Sequence, residues 1–121
     1  MTDFLSGRTA LVTGATSGIG LALARAFGSA HMRVAINGLG DASQIDAARD
    51  AVRSAGAADV RHFDADLRDP SAIERMMQQA ADWGAIDVLV NCAGVQHTAS
   101  LHEMPPERWD LILAVNLSAA F

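Results

Sequence analysis

The chain has 121 residues, half of them hydrophobic, and a formal net charge of −5, a profile typical of one small globular domain. It has no basic stripe to neutralise a phosphate backbone and no apolar run as long as a membrane span, which argues against nucleic-acid and membrane partners. Cys92 is the only cysteine, and we expect it to be a small buried hydrophobe in a cytoplasmic protein. The histidines have no metal-site spacing, so no metal is expected.

The first predicted element is a short apolar strand at Thr9–Val12, followed by the glycine-rich loop Thr13–Gly20. An amphipathic helix is predicted from Leu21 to Ala30, with Ile19, Leu23 and Phe27 on one face. Glycines at this spacing let the backbone approach a ligand closely, and the N-terminus of the next helix favours a phosphate. An ordinary tight turn between strand and helix would give the same pattern.

Three more strands and three more helices follow in alternation. Strands are predicted at Val34–Ile36, Val60–Phe63 and Val88–Val90. One helix lies between residues 41 and 56, and another begins at 70, where Asp69 caps it and Pro70 is its first residue. The last helix opens at Pro105-Pro106, and its predicted inner face carries Trp109, Ile112 and Leu113.

Short apolar strands separated by helices indicate βαβ units and a parallel sheet. We therefore predict an α/β fold: a Rossmann-type doubly wound sheet in three layers, with strand order 3-2-1-4. The fourth strand would then be a bare hydrophobic edge, and Phe121 falls in or just beyond the fourth helix. Residues 1–121 are accordingly interpreted as the N-terminal part of one longer domain, truncated after about four strands.

Each predicted strand is followed by a polar or glycine-containing loop. In the order 3-2-1-4 these loops lie side by side over three strand spacings, about 14 Å. That length suits adenine, ribose, pyrophosphate and nicotinamide laid out in sequence. The four loops are Asp64–Leu67, Asn37-Gly38, Thr13–Gly20 and Asn91–Gly94.

Four motifs in these loops and beyond them resemble the short-chain dehydrogenase/reductase family, over the whole chain. They are Thr13-Gly14-x-x-x-Gly18-Ile19-Gly20, Asp66-Leu67, Asn91-x-Ala93-Gly94 and Val115-Asn116. Shorter strings at 37–41, 95–97 and 116–121 are similar to a bacterial group within the family that interconverts 3-hydroxybutyrate and acetoacetate. The resemblance implies an oxidoreductase that moves a hydride between a nicotinamide cofactor and a 3-hydroxy acid.

The resemblance also implies roles for individual residues in cofactor binding. Asp66 would bond the adenine amino group beside backbone contacts from Leu67, although an aspartate here can instead satisfy loop N–H groups. Ser17 and Ile19 would contact the phosphates and the nicotinamide side. The expected cofactor-binding set is Thr13, Gly14, Ser17, Gly18, Ile19, Gly20, Asp66, Leu67, Asn91, Ala93 and Gly94.

Two residues are expected near the reacting groups of the substrate and the cofactor. By resemblance, Asn116 would hold a water in the proton relay behind the catalytic lysine, and Gln96 would contact the substrate carboxylate. The alternatives are a structural asparagine whose amide is satisfied within the fold and a glutamine exposed on a loop.

The end of the second strand bears on the choice of cofactor. An acidic residue there favours NAD and a nearby arginine favours NADP. The chain has Asn37 at this point, Asp41 as the nearest acid, and no arginine at positions 37–40. A 2′-phosphate would lack a counter-charge, so NAD is preferred over NADP.

The chain has neither tyrosine nor lysine, since all nine basic residues are arginine. The family uses a Tyr-x-x-x-Lys pair as its base, so we expect this chain to be inert by itself and the complete protein to be active, as a homo-oligomer. An NADPH-dependent 3-oxoacyl reductase and a non-catalytic dinucleotide-binding protein are the alternatives.

Overall fold

A computed structural model describes residues 4–121, and it contains four strands and four α-helices within that range. The strands β1 to β4 are Thr9–Val12, Arg33–Ile36, Asp59–His62 and Val88–Val90. The helices α1 to α4 are Gly18–Ser29, Ala42–Ala55, Pro70–Trp83 and Pro106–Leu113. A 3₁₀ turn at Leu101–Glu103 precedes α4, and a π-helical segment at Ala114–Ser118 continues it.

The strands form one parallel sheet in the order β3-β2-β1-β4, which confirms the predicted fold class and strand order. Leu11 of β1 lies opposite Ala35 on one side and Leu89 on the other. Because the strands are parallel and in register, their carboxyl ends meet at one edge of the sheet. The loops that follow β1, β2, β3 and β4 are therefore neighbours.

The sheet separates two hydrophobic clusters because alternate side chains of a strand point to opposite faces. Ala10 and Val12 belong to the cluster that α1 and α2 cover, whereas Leu11 belongs to the cluster covered by α3. The first cluster also contains Ala24, Val34, Ile36, Val52 and Val60. The second contains Ala35, Phe63, Ala65, Met76 and Ala80. This arrangement is the predicted three-layer architecture.

The helix boundaries follow local chemistry. Asp41 caps α2 in a capping box with Gln44, and Asp69 caps α3 ahead of Pro70. The first helix begins at Gly18, earlier than the predicted Leu21, so the end of the glycine loop belongs to the helix. Its first free N–H groups consequently lie within the motif itself.

The two predicted apolar helix faces are only partly covered: Phe27 packs against the first cluster and Ile112 is half-buried, but other members of each face are exposed. Ile19 is 75% exposed, and α1 buries Gly20, Ala24 and Gly28 instead, because small residues allow the helix to pack closely on its neighbours. In α4, Trp109 is 54% exposed and Leu113 is 39% exposed. Apolar spacing alone could not show how far each helix face is covered by the rest of the chain.

Candidate functional site

A cleft of about 780 Å³ opens along the carboxyl edge of the sheet, at the point where the strand order reverses between β1 and β4. All four strand-end loops contribute to it. Of the residues predicted to bind a cofactor, those that line it are Gly14, Ser17, Gly18, Ile19, Gly20, Asp66, Leu67, Ala93 and Gly94.

The glycine loop passes close to the loop after β4. Gly14 has a φ of 61°, and a Cβ atom on it would lie 2.8 Å from the Cα of Ala93, so only glycine fits there. The Ala15 N–H donates to the Asn37 carbonyl over 2.8 Å, which ties the loop to the end of β2. Three strand ends are thereby held side by side.

The N-terminus of α1 faces this cleft. Gly18, Ile19 and Gly20 line it, and the first N–H groups of an α-helix have no acceptor within the helix. Ser17 is the N-cap residue, but its side chain makes no capping hydrogen bond. Unsatisfied donors at the positive end of the helix dipole suit an anion such as a pyrophosphate.

Thr13 does not line the cleft, although it was predicted to bind the cofactor. It is buried, and its Oγ1 accepts hydrogen bonds from the N–H groups of Cys92 and Ala93, each over 3.1 Å. This hydroxyl therefore sets the path of the Asn91–Gly94 loop. Its contact with the site is indirect.

Asp66 lies at the β3 end of the cleft, and the Asn91–Gly94 loop lies at the β4 end. The Asp66 carboxylate is bound to Arg68. Oδ1 accepts from the Arg68 backbone N–H over 2.9 Å, and both oxygens accept from the guanidinium group. The side-chain hydrogen bonds from Arg68, followed by its backbone N–H, lower the pKa of Asp66 to about 2. One of these bonds comes from a loop N–H group, as the structural alternative expects, and contact between Asp66 and adenine stays a prediction.

Asn37 occupies the end of β2, where it is 1% exposed. Its Nδ2 donates to the carbonyls of Phe63 and Ala65 over 3.1 and 3.2 Å, which links β2 to the loop after β3. Leu39, two residues further on, is 77% exposed and lines the cleft. This part of the cleft wall is therefore uncharged.

Asn116 lies in the π-helical segment, a feature frequent at functional sites. Its Oδ1 accepts from the Val95 N–H and its Nδ2 donates to the Val95 carbonyl, each over 2.8 Å. Asn91 and Asn116 line a smaller cavity of about 190 Å³, on the α3 side of the sheet, together with Thr13. Gln96 is exposed and adjoins Val95, which lines the main cleft.

Sequence reasoning missed Thr16 and Arg68, both of which line the cleft. Thr16 occupies a variable position of the glycine motif, and the importance of Arg68 depends on its pairing with Asp66. No signal in the sequence reveals either contact. Between residues 4 and 121, no group of three potential metal ligands is present and no helix is long and apolar enough to cross a membrane.

The geometry of the cleft agrees with a comparison against known protein families. The family described as short chain dehydrogenase matches residues 8–121. The chain belongs to the short-chain dehydrogenase family. This finding confirms the resemblance predicted from the four motifs, and it makes the chain part of an oxidoreductase family.

Individual short-chain dehydrogenases are similar over nearly all of the chain. The D-beta-hydroxybutyrate dehydrogenase of Cupriavidus necator is 48% identical over 119 residues, which cover 97% of this chain and 45% of the relative. A short-chain dehydrogenase/reductase mutant from Serratia marcescens superimposes with a TM-score of 0.90 at 34% identity, covering 97% of this chain and 48% of the other.

A third relative is the NADP-bound 3-oxoacyl (acyl-carrier-protein) reductase from Agrobacterium tumefaciens, with a TM-score of 0.85 and 32% identity. The match covers 95% of this chain and 44% of the reductase chain. The chain therefore spans just under half the length of the short-chain dehydrogenases that it matches.

Proposed function

We propose that the chain is the dinucleotide-binding part of an NAD-dependent short-chain dehydrogenase that interconverts a 3-hydroxy acid and its 3-oxo acid. The observation that carries this proposal is the cleft in which the N-terminus of α1 meets all four strand-end loops. A turn with no ligand would not need four such loops in one line. In this proposal residues 1–121 are the N-terminal part of a single longer domain in a cytoplasmic homo-oligomer.

The residues fit a dinucleotide along the whole cleft. The free N–H groups of Gly18, Ile19 and Gly20 would bind the pyrophosphate, and the Ser17 hydroxyl is available as a further donor. Asp66 and Leu67 would contact the adenine, and the Asn91–Gly94 loop the nicotinamide ribose. When bound, the nicotinamide supplies the hydride acceptor.

NAD is favoured over NADP by the wall around Leu39. A 2′-phosphate would meet an apolar side chain with no arginine at positions 37–40, and Arg68 is already bound to Asp66. The competing proposal is an NADPH-dependent 3-oxoacyl reductase, because such a relative has NADP bound.

The substrate class rests on the similarity to the D-beta-hydroxybutyrate dehydrogenase of Cupriavidus necator. We propose 3-hydroxybutyrate and acetoacetate as the substrate pair, with Gln96 near the substrate carboxylate. The two hydrogen bonds to Val95 use one N–H group and one oxygen lone pair of the Asn116 amide. Its second N–H group and second lone pair would hold a relay water.

The chain has no tyrosine or lysine, so it cannot supply the Tyr-x-x-x-Lys base pair. We expect the 121-residue polypeptide to bind NAD and to show no turnover of 3-hydroxybutyrate. Turnover above background would contradict the assignment of the base to residues outside this chain. A non-catalytic dinucleotide-binding protein remains the alternative, and a longer reading frame encoding that pair would overturn the alternative.

Titration calorimetry with NAD and NADP tests the binding proposal. Gly18→Asp would place a carboxylate among the N–H donors and should weaken NAD binding at least tenfold by repulsion of the phosphates. Gly18→Asn is the matched control, because it imposes the same backbone strain at φ 55° without the charge. Equal affinities for the two variants would show that the phosphates bind elsewhere.

A further inference from the structure

The loop between β2 and α2, residues 37–41, is held by side chains from two neighbouring elements. Thr16 of the glycine loop donates its hydroxyl to the Leu39 carbonyl over 2.7 Å. His62, at the end of β3, places Nε2 3.1 Å from the Gly38 carbonyl. Two consecutive carbonyls of one short loop are therefore bound from opposite sides.

The His62 contact requires a proton on Nε2, because a carbonyl oxygen can only accept a hydrogen bond. The contact is therefore a hydrogen bond from the Nε2–H group to the Gly38 carbonyl.

Gly38 shows how closely Thr16 lies against the loop. A Cβ atom on Gly38 would be 2.7 Å from the Thr16 Oγ1 and 2.8 Å from its Cγ2, so the threonine side chain occupies the space that a larger residue would need. Thr16, Gly38 and Leu39 all line the main cleft. The hydrogen bonds at the Gly38 and Leu39 carbonyls thus act within the wall of the site.

The Leu39 side chain is 77% exposed, so little packing holds it, whereas its backbone carbonyl is fixed by Thr16. The loop after the second strand, in which Leu39 is the third residue, is where an open α/β site meets the sugar next to adenine. An apolar side chain on a backbone fixed at this point leaves a free 2′-hydroxyl undisturbed and disfavours a 2′-phosphate, which would lose hydration without gaining a counter-charge.

We propose that Thr16 and His62 are positioning residues that hold Leu39 against this sugar and so make the cleft prefer NAD over NADP. This inference rests on the proposed function, since it requires that the cleft binds a dinucleotide. Neither residue contacts the reacting atoms. We call the two hydrogen bonds from Thr16 and His62 the clamp. Without the clamp, Leu39 can move away from the sugar, and the preference for NAD over NADP decreases.

The test compares NAD and NADP affinities for five variants of the 121-residue chain. Thr16→Val removes the hydroxyl at constant shape and His62→Leu removes the ring donor, so each should lower the ratio of NADP to NAD dissociation constants about three- to tenfold. Thr16→Ser and His62→Gln keep a donor and should restore the ratio. Ser29→Ala, which removes a hydroxyl-to-carbonyl bond at the far end of α1, should leave the ratio unchanged.

Amide hydrogen exchange at residues 38–41 tests the clamp without a ligand. Exchange should accelerate in Thr16→Val and His62→Leu and stay slow in the two conservative variants. Unchanged exchange would overturn the clamp, and faster exchange with an unchanged affinity ratio would overturn its role in discrimination. If the unsubstituted chain binds neither nucleotide, the proposed function fails and the discrimination with it, while exchange still decides whether the loop is clamped.

Discussion

At the scale of single residues, Thr13 illustrates a residue of a binding motif whose own contacts are internal. Its hydroxyl is the acceptor for two consecutive N–H groups of the loop after β4. Thr13→Val keeps the shape and removes that acceptor, so it should lower the free energy of unfolding by about 1–3 kcal/mol, as measured by urea denaturation. Thr13→Ser should retain most of the stability.

Thr98→Val on an exposed loop serves as the control for the loss of a threonine hydroxyl. Equal stability of the Thr13 and Thr98 variants would mean that the Cys92 and Ala93 N–H groups find other acceptors.

The pair of Asp66 and Arg68 gives a pH dependence whose sign is fixed. The pKa of Asp66 is lowered from 3.8 to about 2, so the pairing stabilises the folded chain above pH 4 and is lost as the pH falls from about 4 to about 2. Arg68→Ala should raise the carboxyl midpoint toward 3.8, as followed by NMR titration.

Both side chains of this pair are substantially exposed, so solvent screening makes its effect on stability small. Added salt should raise the midpoint in the unsubstituted chain and change it less in Arg68→Ala. A midpoint that does not respond to Arg68→Ala would show that another group lowers the pKa of Asp66.

The backbone-determined part of the site could be predicted from the sequence, whereas side-chain pairing could not. Gly14 is recognisable because its conformation and its approach to Ala93 demand glycine, whatever the rest of the fold does. The bond from Thr16 to Leu39 joins residues 23 positions apart. That contact forms only when β1 and β2 pair, so no local sequence pattern predicts it.

At the scale of elements, helix starts were predictable where a cap marks them. Asp69 and Pro70 identify the start of α3 to the residue. The start of α1 at Gly18 could not be predicted, because Ser17 makes no side-chain capping hydrogen bond and the glycine-rich sequence around it is typical of a loop. The π-helical segment at Ala114–Ser118 was also missed, since no propensity scale separates it from an ordinary helix.

The capping box of α2 should contribute measurably to stability. The Asp41 Oδ1 accepts from the Gln44 N–H over 2.8 Å, and the Asp41 N–H donates to the Gln44 Oε1 over 3.1 Å. Asp41→Ala should lower the free energy of unfolding by about 1 kcal/mol, measured by denaturation. Asp41→Ser keeps a capping oxygen and should cost less. A loss in the serine variant equal to that in alanine would assign the effect to charge.

At the scale of the whole molecule, helices cover both faces of the sheet over β1 to β3, whereas its β4 edge is open. Helices α1 and α2 and helix α3 cover β1, β2 and β3, whereas β4 leaves Leu89 48% exposed at the edge of the sheet. Strand order could be predicted because parallel connections allow few topologies. The packed face of α4 could not be predicted, because it depends on contacts with other elements and not on the apolar spacing within the helix.

The exposed apolar residues of α4 lead to a prediction about the 121-residue chain in solution. Trp109 and Leu113 lie one turn apart on α4, and both are exposed, as is Leu117 in the segment that follows. Apolar groups in such a patch favour association. The apparent mass of the chain in sedimentation velocity should therefore rise with concentration.

Replacing Trp109 and Leu113 together by glutamine should weaken that association at least fivefold, because the substitutions remove apolar surface while leaving the helix backbone intact. Leu101→Gln is the matched control, since Leu101 is 87% exposed but lies on the 3₁₀ turn rather than on α4. An equal effect of the control would point to general hydrophobicity rather than to this helix face. A chain that stays monomeric at every concentration would contradict the prediction.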